Sequence, residues 1–261
     1  MSAAAVTTAG SVTYVYCIVS SKTPLAAARV AGPPGAEQAR AIEIRPHRYL
    51  VVSAAPAAAF GEAALAARLA DLDWVSRAAV AHDAVIESFM GAADAVVPMK
   101  LFTLFTSDAR ALEQVRSNWK AIEALIRRLS NHAEWGVRLV FDESRAPAED
   151  ATLSASSGRG YLMAKRQHRA ATTAHTTSMR KTAAGVLKTL NSLARDSRQR
   201  SITTPAESRS RLLLDAAFLV PRAKAMRFKT AVERQAKTLA PSGYALQASG
   251  PWPPYSFVEN A

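Results

Sequence analysis

Two hydrophobic periods alternate along the chain, and their switching predicts most of its elements. Val12-Thr13-Tyr14-Val15-Tyr16-Cys17-Ile18-Val19 is β-branched and aromatic, as a central strand requires. Gly32-Pro33-Pro34-Gly35 marks a loop. Ala41-Ile42-Glu43-Ile44-Arg45 and Tyr49-Leu50-Val51-Val52-Ser53 then alternate apolar with polar around Pro46-His47, which is the pattern of a hairpin. Helical spacing follows: Val75, Ala78, His82, Val85 and Phe89 recur at three and four, and Gly91 ends that helix. Residues 96–105 read as extended, with Pro98 pointing to an edge or a bulge. Asp108 is the expected N-cap of a helix carrying Leu112, Val115, Trp119, Ile122, Ile126 and Leu129, with Asn131 as its stop. Residues 134–141 close this set as another strand.

The second half changes character. Residues 144–160 are rich in Ala, Ser, Pro and Gly and read as a linker. Residues 161–200 have few breakers and predict a long basic helix or helix pair. Its apolar stripe is Ala183, Val186, Leu187, Leu190 and Leu193, and Thr172, Thr173, Thr176 and Thr177 mark a place where it could break. A polar loop over 198–210 contains Pro205, residues 212–220 form a buried strand, and Pro221 opens a helix with Ala225, Phe228, Val232, Ala236 and Leu239 on one face. Residues 244–248 alternate as a last strand. The fold class is α+β with two domains: a ferredoxin-like variant over 1–145, a linker over 146–160, and a long basic helix with a strand–helix–strand unit over 161–261.

The chain closes on Gly250-Pro251-Trp252-Pro253-Pro254-Tyr255-Ser256-Phe257-Val258, where three prolines and three large aromatics exclude a helix interior. Two uses fit such a stiff strip. It can cap a hydrophobic seam, or it can be a preformed partner-docking surface that loses little entropy on binding. Because it follows a strand directly, the cap is the favoured reading. Trp252 and Tyr255 are then expected to be buried, with Phe257 paired into a strand.

Composition narrows the class. At 261 residues, 49% hydrophobic and with a mean hydropathy of −0.02, the chain is core-forming, and it has no run of 18 apolar residues. The first 21 residues carry no Lys or Arg, so no secretory leader is expected and the expected location is the cytoplasm. Cys17 is the one cysteine, which excludes an internal disulfide or a cysteine metal cluster; it reads as a small buried hydrophobe. The net charge of +12 is uneven: residues 1–150 hold 15 basic and 16 acidic side chains, and residues 151–210 hold 11 and 2.

Catalytic chemistry finds no convergent constellation. Five histidines are present, and His82, with Asp83 and Glu87 nearby, could be imagined as a base. Its place on an apolar stripe instead predicts a hydrogen-bonded core histidine. His168 and His175 lie on a basic helix, where Lys and Arg neighbours repel a cation. There is no Gly-x-Ser-x-Gly elbow, Walker loop or His-Glu-x-x-His, so no enzyme, metal or cofactor is expected. The basic segment 159–200 is the candidate partner-binding face, through Lys165, Arg166, Arg169, Arg180, Lys181 and Lys188. It could bind nucleic acid or another anionic surface in a salt-sensitive way. No aromatic lies between Tyr161 and Phe218, however, so a stacking platform is lacking.

Several segments, in order, resemble the gas vesicle protein L/F family (GvpL/GvpF) over nearly the full length. They are Tyr14-Val15-Tyr16-Cys17-Ile18-Val19, His82-Asp83-Ala84-Val85-Ile86, Val97-Pro98-Met99-Lys100 with Thr103-Leu104-Phe105, and Glu134-Trp135-Gly136-Val137-Arg138. Gly160-Tyr161-Leu162, Ala216-Ala217-Phe218-Leu219-Val220 and the terminal strip follow. The strip is the most specific; its signature residues are Gly250, Pro251, Trp252, Pro253, Pro254, Tyr255 and Phe257. The resemblance implies a non-enzymatic accessory protein of gas vesicle formation. Its implied partners are the small hydrophobic shell protein and other accessory proteins. Departures from the family pattern are Cys17 and Phe102 where glycine is common, Asp83 where Glu is usual, and the one-signed charge of the long helix.

Overall fold

Strand β1 (Ser11–Ser20) is buried along almost its whole length, including the residues on both of its faces. That pattern requires cover on both sides of a sheet. In the computed structural model, which describes residues 10–25, 30–145, 158–202 and 210–258, helices supply that cover. Along 158–172 only the backbone and Arg166 are described. The chain forms two compact units: Met1–Ala133 with Trp252–Ala261, and Glu134–Pro251.

In the first unit the hairpin β2 (Arg40–Arg45) and β3 (Arg48–Pro56) turns through His47, which takes φ +66°. Short helices α1 (Ala57–Phe60) and α2 (Glu62–Arg68) lead into α3 (Leu72–Met90), which Asp71 caps by accepting from the Trp74 amide. Then come β4 (Ala95–Phe105), α4 (Asp108–Ser117) and α5 (Trp119–Leu129). The sheet order is β2-β3-β1-β4, with every pairing antiparallel. Alternate residues of β1 face opposite layers: Tyr14 reaches His82 of α3, and Thr13 reaches Asp108 of α4.

Two local expectations change here. Ser107, not Asp108, caps α4 by accepting from the Arg110 amide. The Asp108 carboxylate is instead engaged by Thr13 Oγ1 and by the Arg40 guanidinium, each at 2.7 Å. The single helix expected over 108–129 is two, parted at Asn118. There the Asn118 and Ser117 side chains both donate to the Gln114 carbonyl, competing with the helical ladder.

The second unit contains β5 (His132–Asp142), α6 (Gly158–Asn191), β6 (Asp196–Gln199), β7 (Ser210–Pro221), α7 (Ala225–Leu239) and β8 (Tyr244–Trp252). The sheet order is β6-β7-β5-β8. β5, expected to close the first domain, therefore belongs to the second sheet. Its Trp135, Val137, Leu139 and Phe141 join a core with Phe218 of β7, Phe228 of α7, and Met179, Val186 and Leu190 of α6. The helix α6 runs unbroken for 34 residues through its threonines, with Thr177 Oγ1 bonding back to the Thr173 carbonyl. It stops at Asn191, and the polar strand β6 occupies ground expected to be helix; Asp-Ser-Arg-Gln carries no apolar alternation to announce it. Pro221 ends β7, and a short 3-10 turn (Arg222–Lys224) precedes α7. The linker 146–157 and the Pro205 loop lie outside the described residues.

The Glu134-Trp135-Gly136-Val137-Arg138 segment owes its residue types to this sheet. Arg138 Nε and Arg200 Nη1 each donate to the Asp215 carboxylate at 3.2 Å, and Arg200 also reaches Glu134 at 3.4 Å. A Cβ at position 136 would lie 2.8 Å from Ser249 Oγ, which leaves glycine as the residue that fits without displacing it.

Candidate functional site

The first strand, the α3 helix and β4 meet at one hydrogen-bond chain. The Phe102 amide donates to Tyr14 Oη at 3.3 Å, and Tyr14 Oη stands 3.0 Å from His82 Nδ1. His82 Nε2 lies 3.2 Å from the Met99 carbonyl. One proton arrangement satisfies all four groups. Tyr14 donates to Nδ1, and Nε2 carries the hydrogen that goes to Met99. Burial pushes the His82 imidazole below its ordinary value, opposed by the Met99 carbonyl and Asp83, and burial raises Tyr14. His82 is thus a satisfied core histidine, packed against the rings of both Tyr14 and Tyr16.

What this chain holds is a bulge. Val15 pairs with Thr103 and Cys17 with Pro98, so residues 99–102 stand opposite Tyr16 alone. Phe102 reaches this geometry with φ +61°, a region that costs a residue with a Cβ about 1–2 kcal/mol. Its ring is compensated by lying parallel to Trp74, with centroids 5.4 Å apart.

The terminal strip belongs to the same unit. Pro253 and Pro254 are buried, and Phe257 is fully buried in a 3-10 turn (Tyr255–Phe257) under the Arg128 guanidinium. Tyr255 is half-buried and donates its hydroxyl to Asp83 Oδ1 at 2.5 Å. Burial first, and then the Asp83 carboxylate, hold the Tyr255 hydroxyl well above its usual range. The expected burial fails at Trp252, which is 44% exposed, and Phe257 lies in a turn rather than a strand. Both differences have one cause. The strand β8 ends at Trp252, and the two prolines that follow, lacking backbone donors, cannot continue a ladder. Gly250 takes φ +124°, which favours glycine, and Pro251 is exposed.

Beside β4 lies a mainly apolar hollow of about 400 Å³, with Lys100, Thr103, Gln114 and Asn118 also on its lining. Val15, Val97, Pro98, Met99 and Phe105 line it from the sheet, Val115, Ala121, Ile122 and Leu125 from α4 and α5, and Val258 from the terminus. Sequence reasoning missed this hollow; Pro98 was its one signal. Of the proposed basic face, Arg166, Arg180, Lys181 and Lys188 are exposed on α6, while the side chains of Lys165 and Arg169 lie outside the described residues. Among the described residues, no three His, Cys, Asp or Glu converge as a metal would require, and no helix is long and apolar enough to cross a membrane.

The family model described as "Gas vesicle synthesis protein GvpL/GvpF" matches residues 12–259. The chain belongs to this family. Gas vesicle protein L of Streptomyces sp. (strain CB03234) is 30% identical over 217 residues, covering 80% of this chain and 79% of that protein. The crystal structure of GvpF from Anabaena sp. PCC7120 matches with a TM-score of 0.68 at 17% identity, over 96% of this chain and 97% of the other. GvpF from Microcystis aeruginosa matches with a TM-score of 0.66 at 16% identity, over 95% and 99%. These structures share the α+β fold. Membership gives the chain a role in gas vesicle formation. The GvpL/GvpF segments quoted from the sequence divide between two constellations. Tyr14, His82, Met99 and Tyr255 gather in the first unit, and Glu134, Gly136 and Arg138 form the polar face of the second sheet.

Proposed function

We propose that this GvpL/GvpF protein is a non-enzymatic assembly factor that engages the small hydrophobic shell protein, or other accessory proteins, during gas vesicle formation. The observation that carries this reading is the apolar hollow beside β4, an edge strand of the first sheet. An aggregation-prone apolar segment in search of a growing wall needs such a place, where side chains leave water and an edge strand lies alongside. The terminal strip supports the hollow by contributing Val258 to its wall and by fixing itself to α3 through Tyr255. On this reading Gly250, Pro251 and Pro253 to Phe257 are chiefly structural, and the exposed Trp252 is the strip residue free to meet a partner. We read the first sheet as a ferredoxin-like variant on its β2-β3-β1-β4 order, and the site of action as the vesicle surface in the cytoplasm.

The test is co-purification with the shell protein. Ala121→Glu and Leu125→Asp, which put a charge into the hollow, are expected to abolish capture while thermal unfolding stays close to wild type. Deletion of the gene is expected to remove vesicles. Normal vesicles in a deletion strain without a paralogue, or undiminished capture by both hollow variants, would overturn the reading.

A further inference from the structure

We propose that the exposed cationic face of α6 docks an acidic helical segment of a partner protein, one that presents carboxylates at seven-residue spacing. Residues 158–191 include seven Lys or Arg and no Asp or Glu. Elsewhere carboxylates share the helix with the cations: Arg110 pairs with Glu113 in α4, and Lys229 with Glu233 in α7. On α6, Arg166, Arg180, Lys181 and Lys188 are exposed and have no ion pair among the described residues. At 3.6 residues per turn these four fall within an arc of about 100°, roughly 150° around from the buried stripe of Met179, Val186 and Leu190.

The geometry selects the partner. Arg166 and Arg180 are two heptads apart and Lys181 and Lys188 one, so the cations keep station along one side of the helix for about 33 Å. A second helix bearing Glu or Asp at heptad flanking positions meets that spacing charge for charge. An anionic membrane is disfavoured because the apolar face of α6, which would have to insert, is already committed to its own core. Nucleic acid is disfavoured because the exposed neighbours are Thr173, Ala174, Thr177 and Ala184, with no aromatic to stack on a base.

The experiment uses the full chain and a labelled synthetic helical peptide with glutamates seven residues apart, followed by fluorescence anisotropy at two salt concentrations. Salt-sensitive binding is expected. It should weaken at least tenfold in Arg166→Glu/Arg180→Glu/Lys181→Glu/Lys188→Glu, and that variant should recover binding to a peptide with lysines at the same positions. If the reversed chain fails to fold, Arg180→Gln/Lys181→Gln/Lys188→Gln serves instead, with the same direction of change. Three results would each overturn the proposal: equal binding of a peptide of the same composition with off-register glutamates, undiminished binding by the variants, or tighter binding of duplex DNA or phosphatidylserine vesicles than of the peptide. The proposal stands apart from shell-protein capture, because Leu125→Asp is expected to leave peptide binding unchanged.

Discussion

Tyr255 donates its phenolic hydroxyl to Asp83 across 172 positions of sequence, and the bond fastens the last described turn of the chain to the middle of α3. A hydrogen bond to a charged acceptor contributes about 1.5–3 kcal/mol. Tyr255→Phe is therefore expected to lower stability by an amount in that range. It should also raise the protease sensitivity of the last eight or so residues more than that of any other segment, as followed by mass spectrometry. Removing residues 251–261 is expected to cost more, because it also vacates the fully buried Phe257 site.

Phe102 offers a test in which glycine should outperform alanine. Phe102→Ala loses the Trp74 stack and keeps the left-handed backbone, while Phe102→Gly loses the stack and relieves the backbone. Both variants are expected to be less stable than wild type. Urea unfolding should place Gly above Ala by about 1 kcal/mol.

Gly32 is fixed by a neighbour's hydroxyl. A Cβ there would meet Tyr16 Oη, which is itself bonded to Ser53 at 2.9 Å in a fully buried setting. Gly32→Ala is expected to destabilise the first unit by about 1–3 kcal/mol. Tyr16→Phe, which deletes the clashing atom, should recover part of that loss in the double variant. A coupling energy near zero in the double-mutant cycle would refute the contact.

The buried titratable groups bound the pH range of stability on both sides. The folded-state pKa of His82 is depressed, so its contribution is present above the unfolded value of about 6.5 and is lost as pH falls below it. Tyr16 is pushed up to about 12, so its contribution is present below the unfolded value of about 10 and is lost as pH rises from there toward 12. Chemical denaturation is expected to show a stability plateau between these limits. His82→Gln should flatten the acid limb between pH 7 and 5 and leave the alkaline limb in place.

Strand and helix positions were largely legible because burial writes its period into the chain. Tyr14 and Tyr16 face one layer, Thr13 and Val15 the other, and Ala78, His82 and Val85 recur with the helix. Partnership between strands was not. Nothing in the alternation of Trp135, Val137, Leu139 and Phe141 states that their ladder partners lie beyond residue 200, since pairing is a property of two segments and periodicity a property of one. Short polar elements such as β6 escape for the opposite reason: an edge strand that buries little leaves no hydrophobic trace. His82 was read correctly as a core residue from its stripe. Pro98 points to an edge or a bulge, and β4 is both; the extent of the bulge, Met99 to Phe102, has no such signal, because it is set by hydrogen bonds that side-chain polarity does not encode.

The assignment of Trp252–Ala261 to the unit that begins the chain has a consequence for synthesis. Residues up to Ala133 are synthesised before the second unit and Trp252–Val258 after it, so the first unit is begun before its neighbour and finished later. Until Phe257 and Val258 emerge, one wall of its apolar hollow is missing and Asp83 lacks its tyrosine. The nascent chain therefore carries this surface incomplete for as long as the second unit is being made.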